Sequence, residues 1–187
     1  MHYIDLALLS ANLKNKALSL GYAVVATPQK LLVQNQADLR KASGKQEIFV
    51  SSSSGDLLKK IASRPASAPL LIDAFSVPSF FKDDGLIRTI AKESGAKPIA
   101  FAIPYAYILR SSFVYRARLV AQYKLFLAKC IKRNAPFVIV SGAENEFELK
   151  SPREAIALAE LLGLSFEQAQ KALGSSAEKL LAQQMEK

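Results

Sequence analysis

A regular alternation between short apolar runs and longer amphipathic stretches constrains the fold of this chain more than any other feature. The runs at residues 98–103 and Phe137–Val140 contain no charged residue, which is typical of strands buried on both faces of a parallel sheet. The stretches at residues 83–94 and Phe113–Arg133 have the apolar spacing of helices that connect one strand to the next. The sequence therefore predicts an α/β fold with right-handed crossovers and a mostly parallel sheet.

Six strands are predicted by this pattern, at residues 3–9, 22–26, 47–51, 70–74, 98–103 and 137–140. Residues 31–33 and 105–109 are candidates for further strands, which would raise the total to the roughly eight strands of a (β/α) barrel. An open doubly wound sheet satisfies the same alternation, so both arrangements stay open. A short helical stretch is predicted at 37–42. Three helices with serine caps are predicted after the last strand, starting near Pro152, Ser165 and Ser175.

Length and composition are those of a globular protein with one domain. The chain has 187 residues, of which 50% are apolar, so a domain covering residues 1–187 can bury a core without disulfides or structural metal. Cys130 and His2 are the only residues of their types, and neither an internal disulfide nor a histidine-rich metal site is predicted. No run approaches the ~18 apolar residues of a membrane span, and no signal peptide is recognisable. We expect a cytoplasmic protein that does not bind membranes.

Positive charge is concentrated in the second half of the chain. The formal net charge is +9, and no acidic residue occurs between Glu93 and Glu144. Eight basic residues occupy that interval, namely Lys97, Arg110, Arg116, Arg118, Lys124, Lys129, Lys132 and Arg133. The aromatic residues that interleave with these arginines are Tyr105, Tyr107, Tyr115 and Tyr123. Because such a field attracts polyanions and aromatic rings can stack on bases, nucleic acid is a candidate partner.

Two neighbouring stripes are predicted on the long helix Phe113–Arg133. At 100° per residue, a polar stripe falls within about 60° of arc. Its members are Arg118, Gln122, Lys129 and Arg133. The adjacent stripe is apolar and consists of Val114, Ala117, Ala121, Leu125 and Ala128. We expect the apolar stripe to pack on the sheet and the basic stripe to face a phosphate-bearing partner. The alternative is a solvated face that keeps the protein soluble.

A second basic pair flanks the start of the helix that follows the last strand. Ser151 and Glu154 have the spacing of a capping box, and Pro152 suits the first helical position. Lys150 and Arg153 have no structural role in that pattern. Because free N–H groups and the helix dipole favour anions at a helix N-terminus, these two cations are candidates for a phosphate contact.

Several short motifs together resemble protein component 3 of archaeal ribonuclease P, the counterpart of the eukaryotic thirty-kilodalton ribonuclease P subunit. The matching residues are Arg116-Ala117-Arg118, Ser141-Gly142-Ala143, the motif 149–154, Leu162-Gly163, Tyr3-Ile4-Asp5-Leu6, Leu20-Gly21-Tyr22 and the unit from Ile48 to Asp73. The resemblance covers most of the chain. It implies a single-domain, TIM-barrel-like (β/α) barrel with extra C-terminal helices, related to the PHP superfamily of metal-dependent phosphoesterases.

The resemblance also implies a function as a ribonucleoprotein subunit in tRNA processing. Such a subunit binds the ribonuclease P RNA, protein component 2 and other protein subunits of the enzyme. It supports removal of the 5′ leader from precursor tRNA, while the RNA performs the endonuclease chemistry with bound magnesium. This chain is therefore expected to bind no cofactor and to contribute no catalytic residue.

Four residues match the basic positions of the family's motifs, namely Arg116, Arg118, Lys150 and Arg153. Lys150 stands where the family more often has arginine, which weakens a bidentate phosphate contact without removing the charge. With the basic residues of the long helix and its approach added, the candidate RNA-binding residues are Arg110, Arg116, Arg118, Lys129, Arg133, Lys150 and Arg153.

Two other functions stay open at this point. A stand-alone metal-dependent phosphoesterase of the PHP superfamily needs several histidines and carboxylates around two or three metals, which one histidine cannot supply. No metal ligand is predicted, although carboxylates alone can hold magnesium weakly with water. Those carboxylates are Asp5, Asp73, Glu144, Glu146 and Glu148. The third hypothesis is a protein-interaction module, in which leucines of the helices after Ser165 bind another protein. These are Leu173, Leu180 and Leu181.

Overall fold

The structure is a computed structural model that describes residues 2–38, 47–77 and 80–185. Within these residues the strands are β1 (Ile4–Asp5), β2 (Val24–Val25), β3 (Gln29–Leu32), β4 (Ile48–Ser51), β5 (Leu70–Asp73), β6 (Ile99–Pro104) and β7 (Phe137–Val140). The α-helices are α1 (Lys14–Ser19), α2 (Gly55–Ala62), α3 (Asp84–Glu93), α4 (Ala106–Arg110), α5 (Phe113–Arg133), α6 (Pro152–Leu161), α7 (Phe166–Leu173) and α8 (Ser175–Met185).

All strand pairs are parallel. Strands β3 to β7 form one five-stranded sheet in sequence order, and β1 and β2 form a separate two-stranded sheet. Ile48 of β4 lies opposite Gln29 of β3 on one side and Leu70 of β5 on the other. Because the strands are parallel, their carboxyl ends meet at one side of the sheet, which we call the carboxyl edge. The opposite side is the amino edge.

Contacts at the carboxyl edge connect the two sheets. The Gly142 N–H donates to the Ala7 carbonyl at 2.9 Å, and the Leu9 N–H donates to the Ala143 carbonyl at 3.1 Å. Gly142 has a φ of +60°, and a Cβ there would lie 2.7 Å from Pro104 Cβ, so this turn after β7 requires glycine. The Lys30 ammonium of β3 lies 3.1 Å from Glu144. The outer strands of the five-stranded sheet therefore approach each other beside β1 and β2.

Apolar residues on the two faces of the sheet belong to two separate cores. The larger core combines alternate strand residues such as Ile72 and Phe101 with residues of α2, α3, α5, α6 and α7. The smaller core lies on the other face, where Phe49 and Val138 pack with β1 and with Leu180 of α8. Placing nearly all connecting helices on one face is typical of barrel-like folds rather than of open doubly wound sheets. The α/β class and the extra C-terminal helices are confirmed.

Periodicity predicted most elements well. The bounds of α5 and β7 are confirmed, and the candidate strand at 31–33 corresponds to β3. The prediction of a strand at 105–109 is wrong, because these residues form α4 after Tyr105. The helical stretch expected at 37–42 lies largely outside the described residues. No helix in the described ranges is long and apolar enough to cross a membrane.

The interpretation of the late leucines as a docking surface is wrong. Leu173 and Leu180 are only 1% and 6% exposed, and Leu181 packs against the smaller core. These leucines close the two cores of the protein because α7 and α8 fold back on the sheet.

The expectation that the apolar stripe of α5 packs on the sheet is also wrong. All five residues of that stripe are exposed, and the buried residues of α5 are Tyr123, Phe126, Leu127 and Cys130. Phe126 packs edge-on against Phe101 with ring centroids 4.9 Å apart. Burying aromatic rings removes far more apolar area from water than burying alanine methyls, so the aromatic face of α5 faces the core.

Candidate nucleic-acid interface

The carboxyl edge brings together basic residues from two distant segments of the chain. Strands β6 and β7 are neighbours in the sheet, and the starts of α5 and α6 follow them at this edge. The Tyr105 N–H after β6 donates to the Val140 carbonyl of β7 at 3.1 Å. The Tyr105 hydroxyl accepts from the Lys150 N–H at 3.3 Å. The segment carrying Arg116 and Arg118 is thereby held beside the segment carrying Lys150 and Arg153.

Arg116 closes the corner between α4 and α5. Its guanidinium donates to the carbonyls of Ile108 at 3.1 Å, Leu109 at 3.3 Å and Ser111 at 2.9 Å. These carbonyls belong to the last turn of α4 and the following loop, where helices leave acceptors unpaired. The residue is exposed, and no carboxylate among the described residues neutralises it. Arg116 therefore fixes the approach to α5 and keeps its full charge at the surface.

Of the four motif cations, Arg118 and Arg153 are the most available to an external partner. Both side chains are exposed, and neither has a hydrogen bond or ion pair to the described part of the chain. Lys150 is half-buried and its ammonium donates to the Phe147 carbonyl at 3.0 Å. Arg153 lies in the first turn of α6, which begins with the predicted capping box of Ser151 and Glu154. None of the four motif cations forms an ion pair in the described ranges, although Lys150 interacts electrostatically with the neighbouring Glu154.

Arg110 differs because it is neutralised internally. Its Nε and Nη2 atoms donate to the two carboxylate oxygens of Glu148, each at 2.6 Å, and Nη2 also donates to the Gly142 carbonyl at 3.0 Å. Chiefly because of these hydrogen bonds from Arg110, the pKa of the buried Glu148 is lowered to about 2. The pair holds the loop after β7 against α4, and an RNA contact by Arg110 stays a prediction.

Lys129 and Arg133 share one carboxylate on a neighbouring helix. The Lys129 ammonium donates to Asp84 of α3 at 2.6 Å, and the Arg133 guanidinium lies 3.8 Å from the same carboxylate. The hydrogen bond from Lys129 lowers the pKa of Asp84 below its usual range. RNA contacts by Lys129 and Arg133 stay predictions, and any anion there must compete with Asp84.

Buried carboxylates at the carboxyl edge serve the fold. Asp5 Oδ1 accepts from the Ser141 N–H at 3.0 Å, whereas Asp5 Oδ2 has no hydrogen-bond partner among the described residues. Asp73 Oδ2 accepts from the hydroxyls of Ser51 at 3.1 Å and Tyr107 at 2.8 Å. Burial raises the pKa of both carboxyls. In residues 2–38, 47–77 and 80–185, no three histidine, cysteine or acidic side chains gather as a metal site would require.

Of the four tyrosines that the sequence pattern suggested, only Tyr115 is fully exposed. Tyr105 and Tyr123 are buried, and Tyr107 is half-buried against Asp73. Tyr115 is 69% exposed, and two phenylalanines that the pattern did not suggest, Phe113 and Phe147, are 87% and 90% exposed. The signal for Phe113 was available in the sequence, because three consecutive large apolar residues at a helix start span about 200° and cannot all face one core. Asp84 and Glu148 gave no such signal, since each pairs with a cation far away in the chain.

A family model described as RNase P subunit p30 matches residues 62–187. The chain belongs to this RNase P subunit p30 family. The matched part contains all seven predicted RNA-binding residues. It starts at the last residue of α2. The resemblance inferred from short motifs is confirmed.

Curated relatives in the p30 family are proteins named ribonuclease P protein component 3. The protein of Methanosarcina acetivorans is 32% identical over 111 residues, which are 59% of this chain and 46% of the relative. The protein of Methanothermobacter thermautotrophicus is 27% identical over 147 residues, which are 77% of this chain and 59% of the relative. The chain thus spans about half the length of the curated relatives it matches.

A solved structure shares the fold of this p30 family member. It is a chain in the cryo-EM structure of archaeal ribonuclease P with mature tRNA, with a TM-score of 0.62 and 17% sequence identity. The match covers 97% of this chain and 78% of that chain. The shared fold therefore extends over nearly all of the present sequence, including β1 to β4, which lie before the family match.

Proposed function

We propose that this chain is a protein subunit of a ribonuclease P ribonucleoprotein and supports removal of the 5′ leader from precursor tRNA. In this role it binds the ribonuclease P RNA and protein component 2, beside other protein subunits, in the cytoplasm. The bond cleavage is performed by the RNA with its own magnesium. This chain supplies positive charge and shape, and no catalytic group.

One observation carries the proposal beyond family membership. Two basic motifs that are separate in sequence, one with Arg116 and Arg118 and one with Lys150 and Arg153, lie on segments that Tyr105 links at the carboxyl edge. None of these four cations forms an ion pair in the described ranges, although Lys150 lies near Glu154. Cations that serve only solubility are commonly interspersed with acidic residues, whereas a phosphate backbone requires uncompensated positive charge. Arg118 and Arg153 can each bridge phosphate oxygens with a guanidinium fork.

The physical contribution of this surface is charge neutralisation. Each phosphate that is engaged releases condensed counterions, so RNA affinity falls as salt rises, with a log-log slope of about 0.7 to 0.9 per contact. Arg116 adds orientation, because the same guanidinium that faces solvent also holds the corner between α4 and α5. The RNA is thereby bound to a rigid surface at the ends of two neighbouring strands.

Reconstitution tests the proposal directly. Precursor tRNA cleavage is measured in magnesium with the ribonuclease P RNA and the companion proteins, with and without this chain. We expect no cleavage by this chain alone and faster cleavage when it completes the mixture. Cleavage by the purified chain, or no effect of adding it, would contradict the proposal.

Binding of the ribonuclease P RNA at increasing salt tests the surface. The double variant Arg118→Ala/Arg153→Ala removes two charges that have no internal partner in the described ranges, so affinity should fall and the salt slope should drop by about 1.5. The matched control is Lys171→Ala/Lys179→Ala, which removes two exposed charges near Phe137 at the amino edge. Equal losses in both variants would show that net charge, rather than this surface, binds RNA.

A further inference from the structure

The side of α5 that faces away from the core is apolar along most of its length. It consists of Val114, Ala117, Ala121, Leu125 and Ala128, which we call the outward stripe. All five residues are exposed, and Val114 and Leu125 retain 76% and 56% of their accessible surface. At 100° per residue the centre of this stripe lies about 160–180° from the buried residues Tyr123 and Cys130.

The outward stripe extends along most of α5, which isolated exposed apolar residues do not. Helix α5 has 21 residues and a length of about 31 Å, and the stripe residues follow one another at spacings of three and four along it. At the amino end the exposed Phe113 lies about 80° from the centre of the stripe. Single exposed apolar residues need no explanation, but a contiguous row of this kind marks an interaction surface. The spacing is that of a helix face that packs against another helix.

The charges beside the outward stripe indicate the chemistry of the partner. Helix α5 contains no acidic residue. Arg118 and Lys124 lie about 60° to either side of the stripe, and Lys132 lies near its carboxyl end. None of these three cations has an ion pair within the described residues. A partner that covers the stripe must therefore offer apolar side chains in the middle and acidic side chains along both flanks.

Two other occupants satisfy only part of this requirement. A second copy of the chain would place its own cations against Arg118, Lys124 and Lys132, and like charges at a desolvated interface oppose association. RNA would match the flanking cations, but its phosphates would leave the alanine and leucine side chains without an apolar contact. Alanine at three of the five positions allows helix axes to approach to about 8 Å, which suits a helix rather than a nucleic acid.

We propose that the outward stripe docks an amphipathic helix of a companion protein subunit, with an apolar centre and acidic flanks. This inference rests on the proposed function, since it gives the protein partner of that function a place on the subunit. It separates the two binding roles spatially. RNA contacts the carboxyl edge and the side of α5 that carries Lys129 and Arg133, and the protein partner covers the outward stripe, with Arg118 where the two surfaces meet.

The test uses purified protein component 2 as the probe, with binding measured by isothermal titration calorimetry. The double variant Ala121→Gln/Leu125→Gln changes polarity and bulk in the outward stripe but no charge. We expect its affinity for component 2 to fall at least 10-fold, and its affinity for the ribonuclease P RNA to stay within 2-fold of wild type. The matched control is Leu32→Gln on β3, where the leucine is also 56% exposed, and it should change neither.

A charge-reversal variant tests the acidic flanks. Lys124→Glu/Lys132→Glu should weaken component 2 binding at least 10-fold, whereas tighter binding would overturn the acidic assignment. The docking proposal is overturned if component 2 does not bind the wild-type chain, or if it binds the Ala121→Gln/Leu125→Gln variant as tightly. It is also overturned if that variant loses RNA affinity instead. If the wild-type chain fails to bind RNA but binds component 2 through the stripe, the RNA-binding part of the proposed function is wrong and the docking site stands.

Discussion

Helices α3 and α5 lie side by side over the larger core, yet their outward faces differ. The inner face of α3 buries Leu86, Ile87 and Ile90, and its outer face carries polar residues such as Arg88 and Lys92. This arrangement needs only the core and water. Helix α5 is apolar towards the core and apolar again towards the outside, with only basic charges on its flanks. The difference indicates that the polar outward face of α3 needs only water, whereas the apolar outward stripe of α5 is suited to contact an additional partner.

The most sensitive way to distinguish the two faces of α5 is to substitute one side chain on each. Phe126 is fully buried among Phe75, Phe80 and Phe101, so Phe126→Ala should lower the free energy of unfolding by about 3–5 kcal/mol. The outward change Ala121→Gln should alter it by less than about 0.5 kcal/mol. Urea unfolding followed by circular dichroism measures both. Equal destabilisation by the two variants would contradict the assignment of the faces.

Thiol reactivity sharpens the same comparison. Cys130 is fully buried, and burial raises the pKa of its thiol well above the usual range, so alkylation should require opening of the protein. The thiol introduced by Ala121→Cys on the outward stripe should react at least about 100-fold faster, because it stays in water. Alkylation rates read by mass spectrometry decide this, with urea-unfolded protein as the reference. Comparable rates at the two positions would refute the predicted orientation of α5.

The loop that supports the basic surface should depend on the ion pair of Arg110 and Glu148. Glu148→Gln should lower the free energy of unfolding by about 2 kcal/mol at neutral pH, because charged hydrogen bonds at a buried carboxylate are lost. The folded pKa of Glu148, about 2, lies below the unfolded value near 4.3. Its contribution is therefore present above pH ~4.3 and is lost as the pH falls through ~2. Chemical unfolding across this range should show wild type and variant converging, and a constant difference would refute the assignment.

The smallest effect concerns the contact between α3 and α5. Asp84→Asn removes the carboxylate shared by Lys129 and Arg133, so affinity for the ribonuclease P RNA should rise about 3-fold and the salt slope should increase by up to about 1. The same change slightly weakens the start of α3, since acidic residues in a first turn interact favourably with the helix dipole. Fluorescence anisotropy with labelled RNA measures the affinity. An unchanged slope would place RNA away from this part of α5.

Sequence periodicity was sufficient to predict most helices and strands, but it did not predict which face of α5 packs against the core. The bounds of α5 follow from a continuous amphipathic pattern that starts after Ser112 and ends at Asn134, which adopts a left-handed conformation with a φ of 54°. The pattern contains two apolar sides, however, and nothing local distinguishes the one that faces the core. The choice depends on aromatic contacts of Phe126 with Phe75 and Phe101, which belong to distant strands and loops.

For the site residues, the positions in the sequence could be predicted, but their arrangement in space could not. The positions of Arg116, Arg118, Lys150 and Arg153 could be inferred from short motifs, because each motif lies within one segment. Their meeting at one edge depends on the pairing of β6 with β7. Counterions could not be predicted, because Asp84 lies 45 positions from Lys129 and Glu148 lies 38 positions from Arg110. Such pairs are determined by the tertiary fold and leave no periodic trace.

The hydroxyl of Tyr105 links the part of the chain before the family match to one of its most family-like motifs. It lies 3.4 Å from the hydroxyl of Tyr22 and accepts the N–H of Lys150 at 3.3 Å, while the matched part begins only at residue 62. Substitutions on the surface of the amino-terminal third are therefore expected to be tolerated. A substitution of Tyr22 is expected to disturb the Tyr105 hydroxyl and, through it, the segment that carries Arg153. Homologues with remodelled amino-terminal thirds should preserve this polar bridge or replace it with an equivalent one.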